Sequence, residues 1–202
     1  MSDRPPAPLN NPDVNPFAGL DVPALLRIRA ETRVDHPFLI WEPFDGDTEI
    51  FSYAAFNDRV ERVAAGLKSR GVRPGEFVLI HLDNCPETVI AWYACARLGA
   101  VAVTTNARSA GSELAYFADH CGAVAAITQP AFAELVAKNC GRVKWIAVTE
   151  TDSGVAPEPG RGPDRASSFD SLTGDPADLP ARRPDPLAPV CVQYTSGTTS
   201  RP

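Results

Sequence analysis

Between residues 53 and 70 the apolar side chains Tyr53, Phe56, Val60, Val63, Ala64 and Leu67 recur every three or four positions. Asn57, Asp58, Arg59, Glu61, Arg62 and Lys68 fill the intervening places. That spacing predicts a helix with one face turned to a core. Ser52 stands where an N-cap acceptor is wanted, although Ala55 cannot complete a capping box. Gly71 and the Pro74-Gly75 turn close the helix.

Downstream the pattern changes to short apolar runs separated by further helical stretches. Phe77-Val78-Leu79-Ile80-His81-Leu82 reads as a strand, as do residues 100–104, 123–128 and 143–148. Residues 86–98, 109–120 and 130–139 read as helices, with Pro86 and Pro130 suited to a first turn. The strands are apolar nearly throughout, as in Val124-Ala125-Ala126-Ile127, which suits burial on both faces. Strands alternating with helices of this length predict an α/β fold: a mainly parallel sheet with helices on both faces. Upstream, residues 22–33 predict a helix. Residues 37–41 and 48–53 predict two strands around an Asp45-Gly46-Asp47 turn.

The remaining stretches divide the chain. Residues 1–21 are rich in proline and polar side chains and are expected to form a flexible arm. Residues 22–148 form the α/β unit. Residues 149–188, rich in Pro, Gly, Asp and Ser, are expected to be a long surface connection, with only Ser168-Phe169-Asp170-Ser171-Leu172 suggesting a short helix. Residues 189–202 supply a last strand, Pro189-Val190-Cys191-Val192-Gln193-Tyr194, and the start of a loop.

Composition narrows the function classes. With 44% hydrophobic residues among 202, the chain can bury a genuine core. A net charge of −6 without a compensating Lys/Arg cluster argues against a nucleic-acid surface. The richest apolar run, residues 89–103, is interrupted by Arg97 and is too short to span a membrane. The N-terminus lacks the order of a secretory leader, so the expected location is cytoplasmic. The five cysteines, Cys85, Cys95, Cys121, Cys140 and Cys191, are irregularly spaced and sit mostly in apolar segments. They are expected to be reduced, packed thiols, not disulfides or zinc ligands. His36, His81 and His120 are scattered, without a Ser or Cys partner, and no metal site or catalytic residue is expected in the chain.

The chemistry lies at the end of the sequence. Tyr194-Thr195-Ser196-Gly197-Thr198-Thr199-Ser200-Arg201-Pro202 follows an apolar strand with hydroxyls, a glycine and a cation. Hydroxyls and the backbone N–H groups around Gly197 suit a phosphate. In open α/β sheets, ligands sit at the carboxyl ends of strands. The pattern Gly-x-x-x-x-Gly-Lys-Ser/Thr of the Walker loop is absent.

This segment resembles the phosphate-binding loop of the adenylate-forming superfamily: an aromatic residue, then Thr-Ser-Gly-Thr-Thr-Gly-x-Pro-Lys-Gly. The match departs at Ser200, where Gly is usual, and the variant is similar to the crotonobetaine/carnitine–CoA ligase-like branch. Gly71-Val72-Arg73-Pro74-Gly75-Glu76, Asn84-Cys85-Pro86-Glu87 and Leu98-Gly99-Ala100-Val101 also match the superfamily, whereas Asn106-Ala107-Arg108 lacks the proline common in that loop. The resemblance implies the N-terminal subdomain of an AMP-binding domain, truncated at the phosphate loop. It also implies an ATP-dependent acyl-CoA synthetase that uses Mg2+, coenzyme A and a small carboxylic acid. Thr195, Ser196, Gly197, Thr198, Thr199, Ser200 and Arg201 would be the nucleotide-binding residues. The adenine, ribose, metal and acyl contacts and the catalytic lysine would lie downstream, so the chain alone is expected to be inactive. The alternatives are an amino-acid or aryl-acid adenylation domain of the same superfamily, or a non-catalytic α/β assembly module.

Overall fold

The computed structural model describes residues 15, 17–43, 45–157 and 163–195. The first helix, α1 (Val22–Thr32), starts at Asp21, whose carboxylate accepts the Ala24 N–H at 3.0 Å. Strands β1 (Pro37–Trp41) and β2 (Glu49–Ser52) form a separate antiparallel hairpin. It lies over helix α2 (Tyr53–Ser69), with the Phe38 ring 4.5 Å from Phe56. Ser52 caps α2 as the sequence predicts, its Oγ accepting the Ala55 N–H at 3.2 Å.

The chain then alternates: β3 (Phe77–His81), α3 (Pro86–Leu98), β4 (Val101–Thr104), α4 (Gly111–Cys121), β5 (Ala125–Thr128), α5 (Pro130–Asn139) and β6 (Ile146–Val148). A short β7 (Ala166–Ser168) and β8 (Cys191–Gln193) complete a six-stranded sheet in the order β7-β6-β5-β3-β4-β8. Every pairing in it is parallel. The α/β class expected from the alternating pattern is therefore what the chain adopts.

Strand alternation divides the core in two. Val78, Ile80, Ala102, Ala125 and Ile127 face α2 and α3, meeting Phe56, Val63, Leu67 and Ile90. Leu79, Val103, Ala126 and Ile146 face α4 and α5, meeting Leu114, Phe117 and Val136. Both faces are covered, which is why the strands show no polar alternation. Among the described residues no helix is long and apolar enough to cross a membrane.

Residues 163–188 are more structured than their composition suggests. Ala166–Ser168 extends the sheet beside β6, and the 3-10 turn after it buries Phe169 and Leu172 completely against the α2 side of the core. Arg70, at the end of α2, holds this strap. Its guanidinium donates to Ser167 Oγ at 2.5 Å and Ser171 Oγ at 2.8 Å, and lies 5.4 Å over the Trp145 ring. Ala-Ser-Ser carries no hydrophobic period, so the strand has no signature in the sequence.

Candidate functional site

The sheet's carboxyl edge gathers the polar chemistry. Chain order reverses between β3 and β5: from β3 the chain moves to β4 on one side, then crosses to β5 on the other. Such a reversal opens a crevice beyond the strand ends. Here side chains of the strand ends fill it. The Asp83 N–H donates to Gln129 Oε1 at 2.8 Å, and Gln129 Nε2 donates back to Asp83 Oδ2 at 2.9 Å. Thr128 Oγ1 donates to the His81 carbonyl at 2.8 Å. Gln129 is buried, so its amide is held in place by these partners and its surroundings.

His81 is fully buried, its ring tilted against Phe132 with the centroids 4.8 Å apart. Its Nδ1 lies 2.8 Å from Thr105 Oγ1, and that hydroxyl donates to the Ile80 carbonyl at 3.2 Å. With the hydroxyl proton so used, Nδ1 carries the ring proton and donates to Thr105. Nε2 is left as an acceptor with no partner. Burial lowers the ring's pKa from its ordinary 6.5, against a smaller opposing pull from Asp83. The ring is a neutral wedge that pins the β4 loop to β3.

That loop carries Asn106-Ala107-Arg108. Asn106 Oδ1 accepts the Arg108 N–H at 2.9 Å, and the Asn106 carbonyl accepts the Ser109 N–H at 2.9 Å. The asparagine side chain thus fixes the turn. Glu113 then accepts the Ala110 N–H at 2.7 Å and holds the start of α4.

Strand β8 lies beside β4, with Thr104 opposite Gln193, and delivers Tyr194 and Thr195 to the same edge. Tyr194 is seated on α4. Its ring stacks on Phe117 at 4.2 Å, and its hydroxyl is hydrogen-bonded to His120 Nδ1 at 2.9 Å. His120 in turn stacks on Tyr116 at 5.3 Å. Burial raises the Tyr194 phenol's pKa above 10.0, with Cys121 and Tyr116 pushing the same way. Beside this seat, an open hollow of about 660 Å³ runs along α4 past Ser112, Glu113, Tyr116, Phe117, Asp119 and His120.

Of the candidate phosphate-loop residues, Thr195 directly follows Tyr194 at the sheet's carboxyl edge, and Ser196, Gly197, Thr198, Thr199, Ser200 and Arg201 lie outside the described residues. The tyrosine seat and the Asp83–Gln129 latch went unseen in the sequence. Residues 83 and 129 stand 46 positions apart, and nothing local links them.

All five cysteines are free thiols. Burial pushes Cys85 and Cys95 up to about 12 and Cys140 up to about 11, so these side chains stay protonated and act as core. Among the described residues, no group of His, Cys, Asp or Glu is arranged to hold a metal ion.

The family model described as AMP-binding enzyme matches residues 26–202. The crotonobetaine/carnitine–CoA ligase of Salmonella paratyphi A is 34% identical over 185 residues, covering 86% of this chain and 33% of that protein. The ligase of the same name from Salmonella arizonae is 32% identical over 174 residues, covering 83% and 32% respectively. The chain thus spans about a third of the length of these curated relatives. Among solved structures, the anthranilate CoA ligase AuaEII in complex with anthranoyl-AMP superposes with a TM-score of 0.72 at 24% identity, covering 89% of this chain and 33% of that one. The inhibitor-bound N-terminal domain of FACL13 from Mycobacterium tuberculosis gives 0.69 at 24%, covering 88% and 42%. At that identity these two speak for the fold alone.

Proposed function

The chain belongs to the AMP-binding enzyme family, and on that footing we propose that it supplies the N-terminal portion of an ATP-dependent acyl-CoA ligase. In the proposed reaction a carboxylate oxygen attacks the α-phosphorus of ATP. The bond from that phosphorus to the β-phosphate oxygen breaks, and pyrophosphate leaves. The thiol of coenzyme A, giving up its proton, then attacks the acyl carbonyl and releases AMP. Displacements of this kind depend mainly on positioning and charge neutralisation.

The chain's contribution is the segment from Thr195 to Arg201. The hydroxyls of Ser196, Thr198 and Thr199 and the N–H groups around Gly197 would donate to the β- and γ-phosphates. Hydrogen bonds to a charged acceptor contribute about 1.5–3 kcal/mol each. Ser200 keeps a donor where the family has Gly and narrows the backbone's freedom. Arg201 adds a positive charge. The described part of the chain sets the start of this loop through Tyr194 on Phe117 and His120.

Magnesium, when bound with ATP, neutralises phosphate charge. The described residues offer no group of His, Cys, Asp or Glu to hold it. The acyl substrate is proposed to be a small polar or carnitine-like acid, which Ser200 and the names of the Salmonella relatives support. The 202-residue chain alone is proposed to be inactive.

One observation carries this reading: the family match extends over residues 26–202, the candidate loop included, and Tyr194 and Thr195 follow the carboxyl end of a parallel strand. The test is ATP-dependent pyrophosphate release against a panel of carnitine-like, aliphatic, aryl and amino acids. It is run with the 202-residue chain and with a version extended over the rest of the family's length. Release is expected from the extended version only, fastest with carnitine-like acids. Preference for an aryl or amino acid would replace the substrate reading, and no release with any acid would overturn the ligase reading.

A further inference from the structure

A second, half-open cavity of about 260 Å³ lies between α1, α2, α3 and the segment before β8. Pro23 and Ala24 from α1 and Ala181 and Pro184 from the later segment form part of its wall. Three arginines line it from three different elements: Arg27 on α1, Arg97 in the last turn of α3, and Arg182. Among the described residues, Glu61 on α2 is the only acidic one in the lining.

The ion pairs leave donor capacity in the cavity. Arg97 Nε donates to Glu61 Oε1 at 2.6 Å, with both side chains more than four-fifths buried. Arg97 Nη1, also buried, has no acceptor. Arg182 Nη1 donates to Asp21 Oδ2 at 2.5 Å. The Asp21 carboxylate is already committed to the Ala24 N–H at 3.0 Å and the Asp185 N–H at 2.7 Å, so it anchors Arg182 without closing the cavity. Arg27 Nη1 donates to Glu31 Oε1 at 3.1 Å on the solvent side, an exposed pair that contributes little. A guanidinium offers five N–H donors, and each of these three pairs engages one nitrogen.

A buried, charged donor without an acceptor is costly, and an oxyanion is the group that satisfies it. Three arginines lining the cavity from separate elements suit acceptors lying in more than one plane. A tetrahedral phosphate offers that, and a planar carboxylate does not. The volume falls just below the usual range of about 300–1,000 Å³ for small-molecule pockets, so the occupant is small. We propose that the Arg27–Arg97–Arg182 cavity is a binding site for a phosphate group, free or as the head of a small phosphate monoester, separate from the phosphate loop.

Isothermal titration of the 202-residue chain at fixed ionic strength tests this, with inorganic phosphate, methyl phosphate and acetate as probes. Saturable 1:1 binding of a phosphate probe, with acetate weaker, is expected. A tighter fit for methyl phosphate assigns the monoester as source, and a tighter fit for inorganic phosphate assigns the free ion. R97Q and R182Q should each weaken binding by about tenfold or more, the loss of one charge-assisted hydrogen bond. Because R97Q strands Glu61 and R182Q strands Asp21, R27Q serves as the variant that disturbs only an exposed pair, and it too should weaken binding. A Thr198→Ala/Thr199→Ala variant should bind phosphate as the parent does. No saturable binding, unchanged affinity in a folded R27Q, or loss of binding in the Thr198/Thr199 variant would overturn the proposal.

Discussion

Gly66 lets the backbone of Leu172 lie directly against α2: a Cβ added at Gly66 would come within 2.6 Å of the Leu172 carbonyl carbon. The contact is backbone to helix, with no flexible side chain to yield. It is what allows Phe169 and Leu172 to reach the core from the strap that carries β7. Gly66→Ala favours the helix by up to about 1 kcal/mol in isolation. The overlap should outweigh that gain and destabilise the fold by about 1–3 kcal/mol. Urea unfolding would show a lower midpoint. An unchanged or raised midpoint would mean that the strap is not held against α2.

Much of this architecture was legible in advance because burial imposes a period. The apolar positions of 53–70 gave a helix observed at Tyr53–Ser69, and Ser52 sits at its N-cap. Pro86 and Gly99 bracket α3, with Gly99 in the left-handed conformation a C-cap favours. What stayed hidden is held by contacts without a period. Ala166–Ser168 has small and polar side chains, and it is a strand because β6 offers an open edge and Arg70 grips Ser167. For the candidate site, the motif from Tyr194 onward was legible as chemistry. The seat beneath Tyr194 was not, since Phe117 and His120 are ordinary helix residues until the fold brings β8 to α4.

The Asp83–Gln129 latch gives a charge-dependent prediction. Gln129→Ala leaves the Asp83 N–H without its acceptor and should cost about 1–3 kcal/mol. Gln129→Glu keeps an acceptor for that N–H but sets a second carboxylate against Asp83 Oδ2, where the amide now donates at 2.9 Å. The new carboxyl would have its folded pKa raised above the unfolded value. Its relative stability should be fully present below the unfolded pKa and be lost as pH rises from there through the raised folded pKa. Denaturation midpoints for the two variants, compared at neutral and acid pH, should show the Glu variant approaching the parent only on acidification.

Acid should weaken the parent protein through His81. Its folded pKa lies below the ordinary 6.5, so its contribution is present above 6.5 and is lost as pH falls toward the folded value. The unfolded chain binds the proton first. Stability measured by urea unfolding should therefore decline between neutral pH and the mildly acid range. His81→Gln keeps a hydrogen-bonding side chain near Thr105 and removes the titration, so its decline over that interval should be shallower. Equal slopes would assign the acid sensitivity to other groups.

Thiol accessibility should separate the cysteines into two groups. Cys85, Cys95 and Cys140 are buried, with thiols pushed up to about 12, about 12 and about 11. Cys121 and Cys191 are half-buried. An aromatic disulfide reagent at mildly alkaline pH should label the second pair first and reach the other three on the timescale of unfolding. Rapid labelling of all five would mean that the core opens far more readily than its packing implies.

The seat of Tyr194 should matter to nucleotide binding if the proposed ligase reading is right, because the ring fixes where the loop begins. Tyr194→Phe keeps the stack on Phe117 and removes the hydroxyl 2.9 Å from His120 Nδ1. One neutral hydrogen bond contributes about 0.5–1.5 kcal/mol, which corresponds to roughly a 2- to 12-fold rise in KM for ATP in the extended enzyme. Tyr194→Ala also removes the aromatic pair, worth about another 0.5–1.5 kcal/mol, and should raise KM further. His120→Gln combined with Tyr194→Phe should cost less than the two single changes added together, since both break the same bond. Pyrophosphate-release kinetics on the four variants would decide the matter. An unchanged KM in Tyr194→Ala would show that the loop is positioned by something other than this seat, whereas additive effects in the double variant would separate His120 from Tyr194.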